Sequence, residues 1–115
     1  MNVKELAERF NLQVAAGQNE LDRPIQGGYC GDLLSDVMAN APHGSIWLTV
    51  QTHQNIVAVA VLHEMAAIVL TGGQEPDPET IEKANEEGVP LLMWPQSAFD
   101  LAGQVCAAGI ITPTS

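Results

Sequence analysis

Apolar residues recur along this chain in two rhythms. Near the start, VKELAERF places Val3, Leu6, Ala7 and Phe10 on one helical face and its charges on the other. From residue 45 onward the apolar residues come instead in short unbroken runs: SIWLTV (45–50), AAIVLTG (66–72) and VPLLMW (89–94). Such runs predict strands buried on both faces, as in a parallel sheet covered by helices. NIVAVAVLHEM (55–65) is apolar nearly all round and longer than an ordinary strand. It reads as a buried helix ending in HEM, although IVAVAV alone is good strand material. Asp77-Pro78-Glu79 opens another helix, with a capping Asp, proline at the first helical position and an acid in the first turn. That helix runs to Glu87 and stops at Gly88. Ser97-Ala98-Phe99-Asp100 has the form of a capping box with Asp in place of Glu or Gln, and starts a last helix that runs to about Ala108 and ends at Gly109. IITPTS reads as a short terminal strand.

The first third is less regular. LQVAAG is a short strand, and QNELDRP a turn-like connection closed by Pro24. IQGGYCG, with adjacent glycines and a third at Gly31, reads as strained or closely approached backbone. DLLSDVMANA is a helix with Asp32 near its N-terminus and Leu33, Leu34, Val37 and Met38 on its apolar face; PHG ends it. Strand and helix therefore alternate through most of the chain. The expected fold is α/β: a three-layer α/β/α sandwich with a mostly parallel central sheet, one domain over residues 1–115 with its core at about 5–110.

Composition narrows the function. Apolar residues make up 46% of 115, as in a globular domain. Fourteen acids against four bases give a net charge of −10, and the bases Lys4, Arg9, Arg23 and Lys83 do not cluster. Nucleic acid and anionic membrane surfaces are poor partners for such a chain. A bound phosphate would rely on backbone amides and helix N-termini more than on cations. The longest apolar run, IVAVAVL, is too short to span a bilayer, and the charged start MNVKELAERF is unlike a signal peptide, so a cytoplasmic location is expected. Cys30 and Cys106 have no CxxC partner and read as buried or free thiols.

Candidate chemistry collects where the strands end. In an open parallel sheet, ligands bind beyond the carboxyl ends of the strands, and TVQTHQN, LTGGQEPDP and MWPQS should share that edge. Gln51, Thr52, His53, Gln54 and Asn55 precede the buried helix and suit an anion; equally, they suit a capped loop. Gly72 and Gly73 either bring backbone amides to a ligand or simply turn the chain. Trp94 beside Pro95 either stacks on a base or packs in the core or an interface. His43, His53 and His63 lack metal-ligand spacing, and His63 near a helix end suits the helix dipole better than zinc. No catalytic motif with a mechanism is present. An enzymatic reading would have to rest on His53, or on Cys30 with a histidine beside it.

GGYCGDLLSDVM, WLTVQTHQNIVAVAVLHEMAAIVLTGG and PETIEKANEEGVPLL together resemble the DRTGG domain family, most of all its small stand-alone bacterial members, which are similar to the N-terminal domain of HPr kinase. The likeness covers roughly residues 5 to 110. The literal DRTGG string is absent; Asp22-Arg23 and Gly27-Gly28 carry its letters in interrupted form. The phosphate loop GxxxxGK[ST] of the kinase domain is absent too, so the resemblance does not extend to serine kinase activity. It implies an α/β/α regulatory domain that forms a homodimer. In larger relatives such a domain accompanies CBS domains of regulated pyrophosphatases, where adenine nucleotides bind the regulatory part, or precedes a phosphate acetyltransferase domain. Stand-alone members often occur beside genes for iron-only hydrogenases and histidine-kinase-like ATPases.

The expected function is a non-catalytic regulatory or ligand-sensing module without a cofactor. It would be a homodimer, with the GGY segment or the last helix supplying the contact. Its ligand would be an adenine nucleotide or other small anion at Gln51, Thr52, His53, Gln54, Asn55, Gly72 and Gly73. The alternative is a protein–protein interaction module with no small ligand, serving a kinase-like or hydrogenase-related redox partner.

Overall fold

A computed structural model describes residues 1–110. Helix α1 (Val3–Arg9) opens with a capping box in which the Asn2 side chain accepts from the Glu5 amide and the Glu5 side chain accepts from the Asn2 amide. Strand β1 (Gln13–Ala16) follows, then a 3-10 turn over Gln18–Glu20 and strand β2 (Gly27–Cys30). The rest alternates: α2 (Leu34–Asn40), β3 (Ser45–Thr49), α3 (Asn55–Leu62), β4 (Ala67–Leu70), α4 (Pro78–Glu87), β5 (Leu91–Met93) and α5 (Ala98–Ala107). The terminal strand expected at IITPTS lies outside the described residues.

The five strands form one sheet in the order β1-β5-β4-β3-β2. β2 to β5 are mutually parallel; β1 joins β5 antiparallel, with Gln13 opposite Met93. From β2 to β5 each connection steps to the next neighbour in the same direction, and the helices between them share one face. Val37 of α2, Ile56 and Val57 of α3 and Ala84 of α4 pack there with Trp47, Ile68, Leu70 and Leu91. Val3 and Leu6 of α1 and Leu101 and Val105 of α5 cover the other face with Ile46, Leu48, Val69 and Leu92. The unbroken apolar runs thus divide by alternation, Trp47 to one layer and Ile46 and Leu48 to the other. The α/β/α sandwich with a mostly parallel sheet follows directly.

Three local expectations change. IQGGYCG is not a strained segment: Gly27 and Gly28 lie in an edge strand paired with Ser45 and Ile46. A side chain at Gly28 would meet only Ile46, at an ordinary 3.6 Å. Close approach holds at Gly31, where a Cβ would come within 3.2 Å of the Tyr29 ring. Leu33, just before α2, and Met38 on it are 67% and 46% exposed, because only Val37 of that helix is fully buried. Asp77 occupies the cap position of α4 but makes no side-chain cap bond; Pro78 at the helix start and left-handed Gly88 at its end delimit that helix.

Candidate functional site

The carboxyl ends of β2, β3, β4 and β5 share one edge of the sheet, and the loops that leave them are fastened to one another. Asp32, just past β2, turns its carboxylate toward β3. Its Oδ1 accepts the Thr49 hydroxyl at 2.8 Å and the Val50 amide at 2.9 Å. The Gln51 side chain donates back to the Asp32 carbonyl at 3.0 Å. Beneath this clasp, the buried Trp47 indole donates to the Gly31 carbonyl at 2.8 Å, and the Gly31 amide to Leu48 at 3.1 Å. On its other side the β3–α3 loop meets α4. The wholly buried Thr80 hydroxyl donates to the Thr52 carbonyl at 2.6 Å, and the Asp77 amide to the same carbonyl at 3.2 Å.

Within that frame Gln51 and Thr52 are half-buried, while His53, Gln54 and Asn55 are exposed. Gln54 sits at the cap of α3 without a side-chain bond. His53 does the capping: the Asn55 amide donates to its Nδ1 at 3.1 Å. Accepting there puts the neutral ring's proton on Nε2. Part of the polar run is therefore a cap and part is fastening, leaving the His53 Nε2 and the exposed side-chain amides of Gln54 and Asn55 to face outward.

Gly72 and Gly73 both have left-handed backbone, φ 71° and 72°, and both are exposed. Their amides are already engaged with the β5–α5 loop, Gly72 donating to Gln96 at 2.6 Å and Gly73 to Trp94 at 3.2 Å. A ligand beside them would be met by their surface rather than by these donors. Trp94 is half-buried against the α1–α5 layer, its indole donating to the Ser97 carbonyl at 3.1 Å. Gly73 and Trp94 line a cleft of about 560 Å³ with Asn11, Gln13 and Gln74, within the size range of small-molecule sites. The 51–55 loop does not line it. Candidate residues thus fall into two neighbouring groups on one edge, around β3–α3 and around β4–α4.

Charge at this edge is acidic. Arg23 lies elsewhere, donating to the carbonyls of Met65 and Gly88 at 3.3 and 2.6 Å, and Lys83 pairs with Glu87 at 3.4 Å. An anion here would be held by hydroxyls, amides and the imidazole. Cys30 lines a groove with no histidine among its lining residues, so the histidine beside it that an enzymatic reading would need is not found there. Among the described residues no group of three or more His, Cys, Asp or Glu could hold a metal ion, and no helix is long and apolar enough to cross a membrane. His63 caps α3 and contacts the Ala41 carbonyl through Nε2, with its ring edge-to-face on His43 at 4.7 Å.

Asp32 and Thr80 carry the loop geometry, yet neither was a candidate from the sequence. The signal for Asp32 was its place at the end of GGYCGD, beyond an unrecognised strand; Thr80 offered none.

A mixed five-stranded sheet between two helical layers, with interlocked loops at the carboxyl edge, defines a small α/β/α domain. Residues 5–108 match the DRTGG domain, and the chain belongs to the DRTGG domain family. Its fold is similar to that in the crystal structure of the CBS and DRTGG domains of the regulatory region of Clostridium perfringens pyrophosphatase complexed with activator, diadenosine tetraphosphate. The TM-score is 0.70 at 14% identity, over 89% of this chain and 44% of that one. The chain thus spans less than half of that longer structure, and at this identity the likeness is one of fold. No curated protein matches.

Proposed function

We propose that this DRTGG domain is a non-catalytic regulatory module that senses a small anionic ligand, an adenine nucleotide foremost, at the carboxyl edge of its sheet. The observation that carries this is the two-sided fastening of the β3–α3 loop by Asp32 and Thr80, which holds exposed His53, Gln54 and Asn55 on fixed backbone. A loop that only turns the chain has no need of such anchorage, whereas a binding loop gains by being pre-organised. The neighbouring cleft at Trp94 offers an aromatic surface on which a base would stack. Family membership and a fold shared with a regulatory region complexed with an activator nucleotide support the same reading.

The test is thermal unfolding against AMP, ADP, ATP, a diadenosine polyphosphate and inorganic phosphate. At a hundred times its dissociation constant a ligand adds about 2.7 kcal/mol to the folded state. A saturable rise that disappears in His53→Ala supports the reading; a flat response to the whole panel returns the loop to a connector.

A second reading, a protein-interaction surface, is favoured by exposed apolar residues at the same edge: Leu33 and Val50 flank the Asp32 clasp, and Phe99 is 89% exposed at the start of α5. In this reading a second copy of the chain, or a kinase-like or redox protein, covers them. Sedimentation of the wild type and of Leu33→Asp decides between a homodimer and a monomer.

A further inference from the structure

Cys30 and Cys106 are the chain's two cysteines, far apart in sequence. Cys30 ends the edge strand β2, and Cys106 lies in the last turn of α5. Both thiols are free and exposed, and both line one groove of about 120 Å³ between that strand and that helix, with Gly28, Ile46, Leu48 and Val105. Gly28 contributes no side chain, which leaves the groove open. Groove and thiols lie on the face opposite α3, clear of the 51–55 loop.

We propose that Cys30 and Cys106 form a thiol–disulfide exchange site, at which a low-molecular-weight disulfide oxidises the pair to an intrachain disulfide that draws the end of α5 onto the edge strand. The Cys106 thiolate attacks one sulfur of the small disulfide, forming a mixed disulfide and releasing one small thiolate. Cys30 then gives up its proton and attacks the Cys106 sulfur, expelling the second small thiol. Two protein thiols are oxidised, one small disulfide is reduced to two thiols, and the two protein protons end on the leaving sulfurs.

The order of attack follows the surroundings. Partial burial first, then the neighbouring Cys106 and Asp32, push the Cys30 thiol above its ordinary range, which favours Cys106 as the first nucleophile. Disulfide geometry brings the two Cβ atoms to about 3.5–4.5 Å. The last turn of α5, which carries Cys106, shifts toward β2 to reach it. The bond would also tie α5 to the segment Cys30-Gly31-Asp32, and through Asp32 to Thr49 and Val50. Oxidation would thus be felt at the β3–α3 loop. This site stands whether or not that loop binds a nucleotide.

The experiment incubates the reduced full chain with oxidised and reduced glutathione at graded ratios, blocks free thiols and maps peptides by mass spectrometry. The expected product is a monomer lighter by two hydrogens, with a linked peptide joining Cys30 to Cys106. It should form roughly tenfold more readily in the folded chain than in urea, because the fold raises the effective concentration of one thiol at the other. Cys30→Ser and Cys106→Ser should each yield only a mixed disulfide with glutathione. Glutathione on both cysteines of the wild type without a linked peptide, a disulfide between two chains, or equal bridging in urea would each overturn the proposal. The wild-type map does not depend on how the variants fold.

Discussion

The Asp32 carboxylate and the Thr49 hydroxyl meet at 2.8 Å across the carboxyl ends of neighbouring strands β2 and β3, and the same oxygen also takes the Val50 amide. One side chain thereby satisfies the buried hydroxyl that ends β3 and the first amide of the loop that follows. Asp32→Ala removes the acceptor for both and should cost about 1–3 kcal/mol in urea unfolding. Asp32→Asn keeps an acceptor oxygen and should cost clearly less. Equal losses would mean that charge, not acceptance, matters at this position.

Thr80 fastens the loop from the other side. Thr80→Val keeps the shape and loses the bond to the Thr52 carbonyl, at a cost of about 1 kcal/mol. The Asp77 amide still reaches that carbonyl, so the loop should loosen without detaching. Amide hydrogen exchange should speed up over residues 52–55, while the amides of β3 stay protected. Thr80→Ser retains the hydroxyl and should leave loop exchange unchanged.

Two left-handed glycines separate strain from overlap. A Cβ at Gly17 would lie 2.3 Å from the Val89 carbonyl oxygen, whereas at Gly72 it would meet nothing within 4 Å. Gly72→Ala should cost only the left-handed backbone term, about 1 kcal/mol. Gly17→Ala adds overlap with the backbone ahead of β5 and should cost at least about 3 kcal/mol. Comparable melting temperatures for the two variants would contradict this.

Tyr29 contributes to how stability falls at alkaline pH. Its hydroxyl donates to Asp36 at 2.6 Å. That bond first, then desolvation, then the Asp36 charge, hold its ionisation above the ordinary phenol range, against a smaller opposing pull from Asn40. The folded chain therefore keeps this proton better than the unfolded one. The contribution is whole below the unfolded phenol's range and is lost as pH rises through the folded value. As the only tyrosine, Tyr29 can be titrated by ultraviolet absorbance in the intact protein. Asp36→Asn should bring its midpoint down, and Tyr29→Phe should remove this part of the alkaline loss of stability.

Elements whose signals are local were legible in the sequence. Proline at the start of α4 and Gly88 at its end bounded that helix correctly, and the unbroken runs of β3 and β4 announced strands covered on both faces. What escaped depended on partners distant in the chain. Gly27 and Gly28 look like strained or closely approached backbone until Ser45 and Ile46 are beside them. Asp32 reads only as a residue near a helix N-terminus until Thr49 is within reach, and with its side chain turned to β3 α2 starts at Leu34 with no side-chain cap. Leu33 and Met38 sit at helical spacing for a core that, at the sheet's edge, reaches only Val37. For the candidate site, the sequence placed the loops on one edge but could not divide them. That the Gly72 and Gly73 amides are spent on Gln96 and Trp94 is a fact of tertiary pairing.

The antiparallel partnership of β1 with β5 bears on the order in which the molecule can be built. β2 to β5 add one neighbour at a time as the chain lengthens, but Gln13 finds its place only against Met93. On a ribosome, β1 would therefore emerge early and wait for nearly the whole remaining chain before its edge of the sheet existed. Such a long-range closure is slow compared with local pairing. The amides of β1 should be the last in the sheet to gain protection during refolding, and Val14→Ala should speed unfolding while scarcely slowing folding.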